Sequence, residues 1–403
     1  MKSRTNLFEL DAANTNWPEL VQMIADQPYP LHQSGLDALP GDASIFGLAR
    51  RLQESKLAVA RLRPKLKIGI VFAVWKETNR LLARTQDNPL GENSLAVKFS
   101  ALEWLLKDSR IEWSMYVVDD GCPEQSGHVV EQLRRSLSCP ERLHVDYLDR
   151  VVPGNRPPFH RLKSVNDSKK GGAIALGCLN AIKDNCDYVV YTDCDNSVHL
   201  GQLGTLLEVA ERETLDAVLG DRQAPTSDFV KHPERRFEDD IARKVVAHIG
   251  RLMIPISLPL SDVPSPFKLF TAGFCNELME ELSVFDFAFD YDVVISIAAK
   301  DRKTRAVPYT FLDSYESSAW HSIGTYRIWA DKLRGIATSV SKNGYAISAT
   351  MREILLQLDS GEKIQAAMAA SLPEAANNLQ FGKLGNSSNW SPDEILTWLR
   401  KGS

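Results

Sequence analysis

The segment Tyr188-Val-Val-Tyr-Thr-Asp-Cys-Asp-Asn196 places two acids directly after a run of β-prone residues. An apolar run that ends abruptly in acids is typical of a buried strand that ends at an open edge of a sheet. Side chains two positions apart on an extended chain point the same way, so Asp193 and Asp195 can face one point beyond the strand. Two carboxylates at one point suit a hard divalent cation, Mg²⁺ or Mn²⁺. The alternative is a helix N-cap followed by a turn acid.

The composition indicates a globular protein with one large domain and additions, or with two domains. The chain has 403 residues and a net charge of −5, which gives no sign of nucleic-acid binding. Its six cysteines form no C-x-x-C pair, which argues against a zinc or redox centre. We predict a cytoplasmic location, because the thiols are scattered and neither a signal peptide nor a membrane-spanning run is visible.

Strand-like and helix-like segments alternate from residue 67 onward. The strand-like segments include Lys67–Val74, Ser114–Val118, Leu143–Leu148, 187–192 and Ala217–Gly220. This alternation predicts an α/β fold with a mostly parallel central sheet flanked by helices. We predict an N-terminal helical extension over residues 1–65, a central domain over 66–320 and a C-terminal helical region over 321–403.

Seven short motifs follow one another along the central domain. They are Val74-Trp-Lys-Glu77, Val118-Asp-Asp-Gly-Cys122, Lys169-Lys-Gly-Gly-Ala173, Asp193-Cys-Asp195, Gly220-Asp-Arg222, Asp262-Val-Pro-Ser-Pro-Phe-Lys-Leu-Phe270 and Phe289-Asp-Tyr-Asp-Val293. In this order they resemble the family 2 glycosyltransferases, which have the nucleotide-diphospho-sugar transferase (GT-A) fold. The resemblance covers about residues 67–320 and is strongest to the dolichyl- and polyprenyl-phosphate sugar synthase branch. The chain departs from the family at Pro266, where Gly is usual, at Asp292, where Glu is usual, and in lacking the Pro of the first motif.

The resemblance implies a metal-dependent enzyme that moves a sugar from a nucleotide diphosphate sugar with inversion at the anomeric carbon. A UDP-sugar is favoured over a GDP-sugar as the donor. The expected ligands of the divalent cation, Mn²⁺ or Mg²⁺, are Asp195, Asp193 and His321. The expected nucleotide-sugar-binding residues are Val74, Glu77, Asp119, Asp120, Lys169, Lys170, Gly171, Asp193, Cys194, Arg222 and Lys268.

The residue types in these motifs suit such a ligand. Carboxylates at strand ends can accept strong hydrogen bonds from a nucleobase or a ribose, which is the role expected of Asp119. Lysines and glycines before a helix favour phosphate, although a flexible basic turn is the alternative. Asp290 and Asp292 open the last motif's helix and are the two candidates for a catalytic general base. We favour Asp292, because Asp290 is the better N-cap, and the alternative is that both acids are structural. For His321, a packed or surface histidine is the alternative to a metal ligand.

The acceptor is not identified by the sequence. We expect no nucleic-acid partner and at most peripheral membrane contact, and a homodimer is left open. A retaining GT-A enzyme that makes a small soluble glycoside, such as a sugar–glycerate, is one alternative, and His321 as a ligand would favour it. A polyprenyl-phosphate glycosyltransferase is another. A sugar-phosphate nucleotidyltransferase would need a Gly-rich loop that Val74–Arg80 lacks, and a non-catalytic nucleotide-sugar-binding module is disfavoured by the intact D-x-D motif.

Overall fold

The computed structural model describes residues 17–26, 45–230, 240–260, 262–314, 325–379 and 390–402. The strands are β1 (Lys67–Val74), β2 (Glu112–Asp119), β3 (Leu143–Tyr147), β4 (Tyr188–Tyr191), β5 (Ala217–Asp221), β6 (Asp228–Val230), β7 (Lys268–Thr271), β8 (Thr304–Pro308) and β9 (Thr310–Leu312). The helices up to the last strand are α1 (Trp17–Ala25), α2 (Ile45–Val59), α3 (Thr78–Leu81), α4 (Ser94–Leu106), α5 (Ser126–Arg134), α6 (Gly171–Lys183), α7 (Leu203–Glu213), α8 (Asp240–Leu252), α9 (Ala272–Glu280) and α10 (Phe289–Ala299). The later helices are α11 (Thr325–Lys342), α12 (Ala349–Gln357), α13 (Gly361–Ala369), α14 (Glu374–Asn377) and α15 (Pro392–Gly402).

The central sheet has seven strands in the order β3-β2-β1-β4-β7-β5-β8. Strand β7 is antiparallel to both of its neighbours, whereas the other pairs in this sheet are parallel. Strands β6 and β9 form a separate parallel pair. The predicted α/β fold with a mostly parallel sheet is therefore confirmed, as the GT-A resemblance implies. The direction of β7 was not predicted, because strand propensity carries no information about direction.

Helices cover both faces of the sheet. Within β1, Ile70 and Phe72 face a core that they share with α2, α4 and α7. Val71 faces the opposite core, which contains α6, α9 and α10. All three side chains are fully buried, as predicted for a continuous apolar strand in a parallel sheet.

The terminal helices pack onto these same two cores. Trp17 and Leu48 of α1 and α2 belong to the core on the α4 face. Trp329 of α11, Ile354 of α12 and Trp390 belong to the core on the α6 face. The predicted domain limits remain predictions. No helix in the described ranges is long and apolar enough to cross a membrane.

The contact of α6 with the sheet requires a glycine at position 177. A Cβ atom added there would meet Val71 Cγ1 at 2.5 Å and Val118 Cγ2 at 3.1 Å. Both valines are buried and β-branched, so neither rotates away easily. We expect Gly177→Ala to lower the free energy of unfolding by about 1–3 kcal/mol, although alanine favours helix. Urea unfolding followed by circular dichroism measures this change.

Gly273 in α9 is the matched control, because an added Cβ there meets nothing within 4 Å. Gly273→Ala should leave the free energy of unfolding unchanged or raise it by up to about 1 kcal/mol. Equal effects of the two substitutions would contradict the close approach of α6 to β1 and β2.

Candidate active site

The ends of several strands meet at one edge of the central sheet. Val74 at the end of β1 lies beside Asp119 at the end of β2. Lys268 lies beside Tyr191, the last residue of β4. Because β7 is antiparallel, its first residue falls at the same edge as the last residues of the parallel strands. This edge therefore gathers the acids that end β2 and β5, the acids that follow β4 and the lysine that begins β7, where ligands bind in open α/β sheets.

The two acids after β4 have different surroundings. The Asp193 side chain is 33% exposed and pairs with the ammonium group of Lys170. The Asp195 side chain is 13% exposed, and its Oδ2 lies 3.9 Å from Arg80 Nη1, which is too far for a hydrogen bond. Its Oδ1 accepts hydrogen bonds from the backbone N–H of Ser197, at 3.1 Å, and from the Ser197 hydroxyl. Ser197 thus binds Oδ1 of Asp195, whereas Oδ2 lies near the guanidinium group of Arg80 without a hydrogen bond to it.

Two expected nucleotide-binding residues have side chains in the core below the edge. Val74 is buried, and its backbone oxygen accepts a hydrogen bond from the N–H of Asp120 at 3.1 Å. Cys194 is buried between the two acids, with its Sγ 3.8 Å from Ser94 Oγ. The contact of Val74 and Cys194 with a nucleotide remains a prediction, and it would have to use their backbone atoms.

A buried group of charges lies behind Asp195, and we call Glu77, Arg80, Glu92 and Lys98 the Arg80 cluster. Arg80 Nη1 donates to both carboxylate oxygens of Glu77, at 3.1 and 2.8 Å. Arg80 Nε lies 3.7 Å from Glu92 Oε1, and Lys98 Nζ donates to the backbone oxygen of Asp195 at 2.6 Å. Burial alone would raise the pKa of Asp195, but Arg80, hydrogen bonds from Ser197 and the charge of Lys98 lower it.

Sequence reasoning missed Arg80, Glu92 and Lys98. The spacing of Glu77 and Arg80 is that of a helical ion pair, which is a signal for Arg80. Lys98 lies on the apolar face of α4 and is 1% exposed, and a lysine at such a position needs a buried partner. Glu92 had no such signal, because its carboxylate binds the backbone N–H of Asn196, far along the chain, at 2.8 Å.

The two acids after β2 are bound to backbone. One oxygen of Asp119 accepts the backbone N–H of Cys122 at 2.6 Å, and the other accepts that of Gly127, at the start of α5, at 2.7 Å. Asp120 accepts hydrogen bonds from the Ser168 hydroxyl and the Lys170 N–H, each at 2.6 Å. Burial raises the pKa of Asp119, and it raises that of Asp120 to about 6, although these hydrogen bonds and the charge of Lys169 oppose the shift. Both acids shape the loops, and the expected contact of Asp119 with a nucleobase remains a prediction.

The glycines before α6 are required by packing. A Cβ atom on Gly171 would lie 2.8 Å from Phe285 Cα, and its N–H already donates to the Phe285 oxygen at 3.0 Å. The N–H of Gly172 donates to the Ser168 hydroxyl at 3.0 Å. These two amides are therefore engaged within the protein. Lys170, whose φ of 90° is in the left-handed region, is left as the group of this loop that faces Asp193.

Lys268 and Asp290 form a buried pair at the same edge. Asp290 Oδ1 accepts hydrogen bonds from Lys268 Nζ and from the Tyr191 hydroxyl, both at 2.6 Å. Lys268 is fully buried and also donates to the Ser265 oxygen. Burial lowers the pKa of Lys268, and the charge of Asp290 opposes that shift. Asp290 is in the first turn of α10 and Ala288 is at its N-cap, which corrects the expected capping role of Asp290.

Asp292 lies outside this group. It is fully buried, and its Oδ2 accepts the backbone N–H groups of Ser283 and Val284 at 2.7 and 3.2 Å. Its Oδ1 lies 2.6 Å from Lys342 Nζ, at the end of α11. Two residues along a helix turn the side chain by about 200°, so Asp290 and Asp292 face opposite sides of α10. This geometry corrects the choice of Asp292 as general base, because a base must reach the acceptor.

Arg222 lies close to the D-x-D motif, but its guanidinium group is bound by another acid. It forms two hydrogen bonds with Asp262, and the one from Nη2 measures 2.9 Å. Its guanidinium carbon also lies 4.6 Å from the ring centroid of Phe311. Burial opposes protonation of Arg222, but Asp262 and, more weakly, Asp193 raise its pKa. Arg222 thus adds positive charge near Asp193, while Asp262 holds its orientation.

The acids after β4 fit a divalent cation in their chemistry. Mg²⁺ is commonly bound through one or two carboxylates, with phosphates and water completing its shell. Asp193 and Asp195 can supply those carboxylates. His321, the third expected ligand, lies outside the described residues. Among the described residues, no group of three or more His, Cys, Asp or Glu side chains could hold a metal ion.

Two solved structures have a similar course of the chain. The mannosyl-3-phosphoglycerate synthase from Rubrobacter xylanophilus shows 15% identity and a TM-score of 0.45, over 85% of this chain and 88% of that chain. The second is the glucosyl-3-phosphoglycerate synthase from Mycobacterium tuberculosis in complex with Mn²⁺, UDP-glucose and phosphoglyceric acid. It shows 16% identity and a TM-score of 0.43, over 74% of this chain and 85% of that chain. Likenesses this distant carry no conclusion about activity.

The sequence comparisons are more specific. A dolichyl-phosphate beta-glucosyltransferase from Trichomonas vaginalis is 24% identical over 280 residues, which are 68% of this chain and 73% of the relative. Residues 100–259 match the family model of glycosyl transferase family 2. The matched span contains Asp119, Lys170, Asp193, Asp195 and Arg222. The chain is therefore similar to family 2 glycosyltransferases, and residues 100–259 match that family's model.

Proposed function

We propose that the chain transfers a sugar from a nucleotide diphosphate sugar, a UDP-sugar in preference to a GDP-sugar, with a divalent cation at Asp193 and Asp195. The observation that carries the proposal is the pairing of Asp193 with Lys170 at the carboxyl edge of β4, beside Arg222. Asp193, which is partly exposed, and Lys170 come from different loops and are in contact at the edge where open α/β sheets bind their ligands.

The Lys170–Asp193 pair can exchange partners without a change in total charge. A diphosphate and a divalent cation arrive with charges of opposite sign. Lys170 can then bind the phosphate while Asp193 binds the cation, and each charge keeps a partner. Ion pairs that stay balanced avoid the cost of an unpaired charge in a partly buried site. Arg222, fixed by Asp262, adds positive charge on the same side.

The chemistry of the reaction demands charge stabilisation at the leaving group. Departure of the nucleotide from an oxocarbenium-like sugar leaves negative charge on the diphosphate, which preorganised positive groups stabilise. A cation held by Asp193 and Asp195 supplies Lewis-acid stabilisation of that charge when it is bound. The chain's own contribution is Lys170, together with the field of Arg222. We propose inversion at the anomeric carbon, as the family resemblance implies.

The surroundings of Asp290 bear on whether the acceptor is a hydroxyl group or an ionised phosphate. A hydroxyl acceptor needs a general base, and Asp290 is the acid of the last motif that reaches the edge. However, Asp290 is 4% exposed, and its Oδ1 already accepts hydrogen bonds from both Lys268 and Tyr191. An acceptor that is already ionised, such as a phosphate, needs no base. This observation favours a phosphate acceptor as a second candidate, and the relative named for dolichyl phosphate supports it.

The donor is tested by thermal unfolding with nucleotides. Ligands that bind only the native state raise the melting temperature by mass action. We expect UDP and UDP-sugars with Mn²⁺ to raise it, and the same nucleotides without Mn²⁺ to raise it less. GDP with Mn²⁺ should raise the melting temperature less than UDP with Mn²⁺ does. No shift with any nucleotide sugar, with or without Mn²⁺, would overturn the proposed function.

The role of Asp195 is tested by Asp195→Asn. Loss of one charged contact costs about 1.5–3 kcal/mol, so the Kd of UDP in the presence of Mn²⁺ should rise at least about tenfold. Isothermal titration calorimetry measures it. Asp187→Asn is the matched control, because Asp187 precedes the same strand at its opposite end and binds the N–H of Lys67 at 2.8 Å. An unchanged Kd in the Asp195 variant would remove Asp195 from the cation site.

Asp290 and Asp292 are separated by single-turnover transfer. With a hydroxyl acceptor, Asp290→Asn should slow transfer by about 10²- to 10⁴-fold while the Kd of UDP changes little. With a phosphate acceptor, the slowing should be much smaller. Both substitutions should lower the melting temperature, since each weakens a buried ion pair, but Asp292→Asn should leave the rate of transfer nearly unchanged. A selective loss of turnover in a stable Asp292 variant would restore Asp292 as the base.

A further inference from the structure

The Arg80 cluster lies beside Asp195 and approaches it through Arg80 and Lys98. Three carboxylates, those of Glu77, Glu92 and Asp195, act on the guanidinium group of Arg80. The second cation of the cluster, Lys98, is 1% exposed. With every group ionised, these five side chains carry one negative charge more than positive. These side chains together therefore have a net negative charge, and they include Asp195, the proposed ligand of the cation.

The hydrogen bonds of the cluster are distributed in a way that leaves Asp195 available. Arg80 Nη1 donates to Glu77 and lies 3.9 Å from Asp195 Oδ2, so it contributes charge without occupying that oxygen. Lys98 Nζ instead binds the Asp195 backbone oxygen at 2.6 Å. Glu92 binds the next residue, through the Asn196 N–H at 2.8 Å and the Asn196 side-chain amide. The cluster therefore binds the backbone of the D-x-D loop and leaves Asp195 Oδ2 without a hydrogen bond from Arg80.

We propose that Arg80 and Lys98 are positioning residues that set the Asp195 carboxylate for the divalent cation. The proposal rests on the proposed function, since it assumes that Asp195 is a ligand. Arg80 acts through charge and orientation, and Lys98 acts through the backbone of the loop. Groups behind a metal ligand orient it, and their loss commonly weakens metal binding or activity by about 10- to 100-fold.

A positioning role and a purely electrostatic role of Arg80 predict opposite changes in cation affinity when Arg80 is replaced. An experiment can therefore separate the two roles. If Arg80 were only a nearby positive charge, its removal would relieve repulsion and tighten the binding of a cation. If Arg80 holds Asp195 in place, its removal loosens the carboxylate and weakens binding. A lysine in its place keeps the charge but lacks the planar fork that faces two carboxylates at once.

The experiment measures Mn²⁺ affinity in the presence of UDP for wild type, Arg80→Lys, Arg80→Met and Lys98→Met. Calorimetry gives the Kd, and electron paramagnetic resonance separates free from bound Mn²⁺. We expect each variant to raise the Kd of Mn²⁺ by about 10- to 100-fold. Arg80→Lys retains the buried charge, so it keeps the test valid if Arg80→Met does not fold.

Lys342→Met is the matched control, because it also deprives a fully buried carboxylate, that of Asp292, of its cation. It should lower the melting temperature and leave the Kd of Mn²⁺ unchanged. Tighter Mn²⁺ binding in Arg80→Met, or wild-type binding in Arg80→Lys, would overturn the positioning role. Absence of Mn²⁺ binding in wild type would overturn the proposed cation site itself, which is a different result.

Discussion

Charged groups that leave water lose several kcal/mol of solvation each, so a protein that buries them has to pair them. At the carboxyl edge of this sheet, Lys170 pairs with Asp193, Lys268 with Asp290, and Arg222 with Asp262. The partners of each pair come from different segments of the chain. The same ions therefore join the loops to one another and form the lining of the site. A change at one of these residues alters the geometry of the site as well as its charge.

The features that local sequence predicted are those that depend on neighbouring residues alone. A continuous apolar run is enough to place β1 in the middle of a parallel sheet, and it is buried as expected. The acids of the D-x-D motif follow β4 directly, so alternation alone separates Cys194 from Asp193 and Asp195. Cys194 is in the core, and the two acids are partly exposed. The first argument holds because strand geometry repeats every two residues, and the second extends the same alternation past Tyr191, where β4 ends.

The features that sequence missed depend on contacts far apart in the chain. Gly171 has the pattern of a phosphate loop, but Phe285, more than a hundred residues later, explains it by packing. The carboxylate of Glu92 reaches the N–H of Asn196, which no local pattern indicates. Asp120 has the position of a ligand-binding acid, yet its oxygens accept hydrogen bonds from Ser168 and Lys170, which lie 48 and 50 residues later. In each case the residue type was informative, whereas its partner could only be known from the fold.

The start of α10 shows how a small shift in a helix boundary changes a chemical assignment. The sequence analysis expected the two acids to open this helix, with Asp290 as its N-cap and Asp292 as the favoured general base. The helix begins at Phe289, and both acids lie within its first turn. Helical geometry then sends Asp290 toward Lys268 and Asp292 toward Lys342. The first turn of α10 thus forms two ion pairs, one with Lys268 at the site and one with Lys342 of α11. The position of Asp290 is consequently tied to the packing of α11 against α10, through a single helical turn.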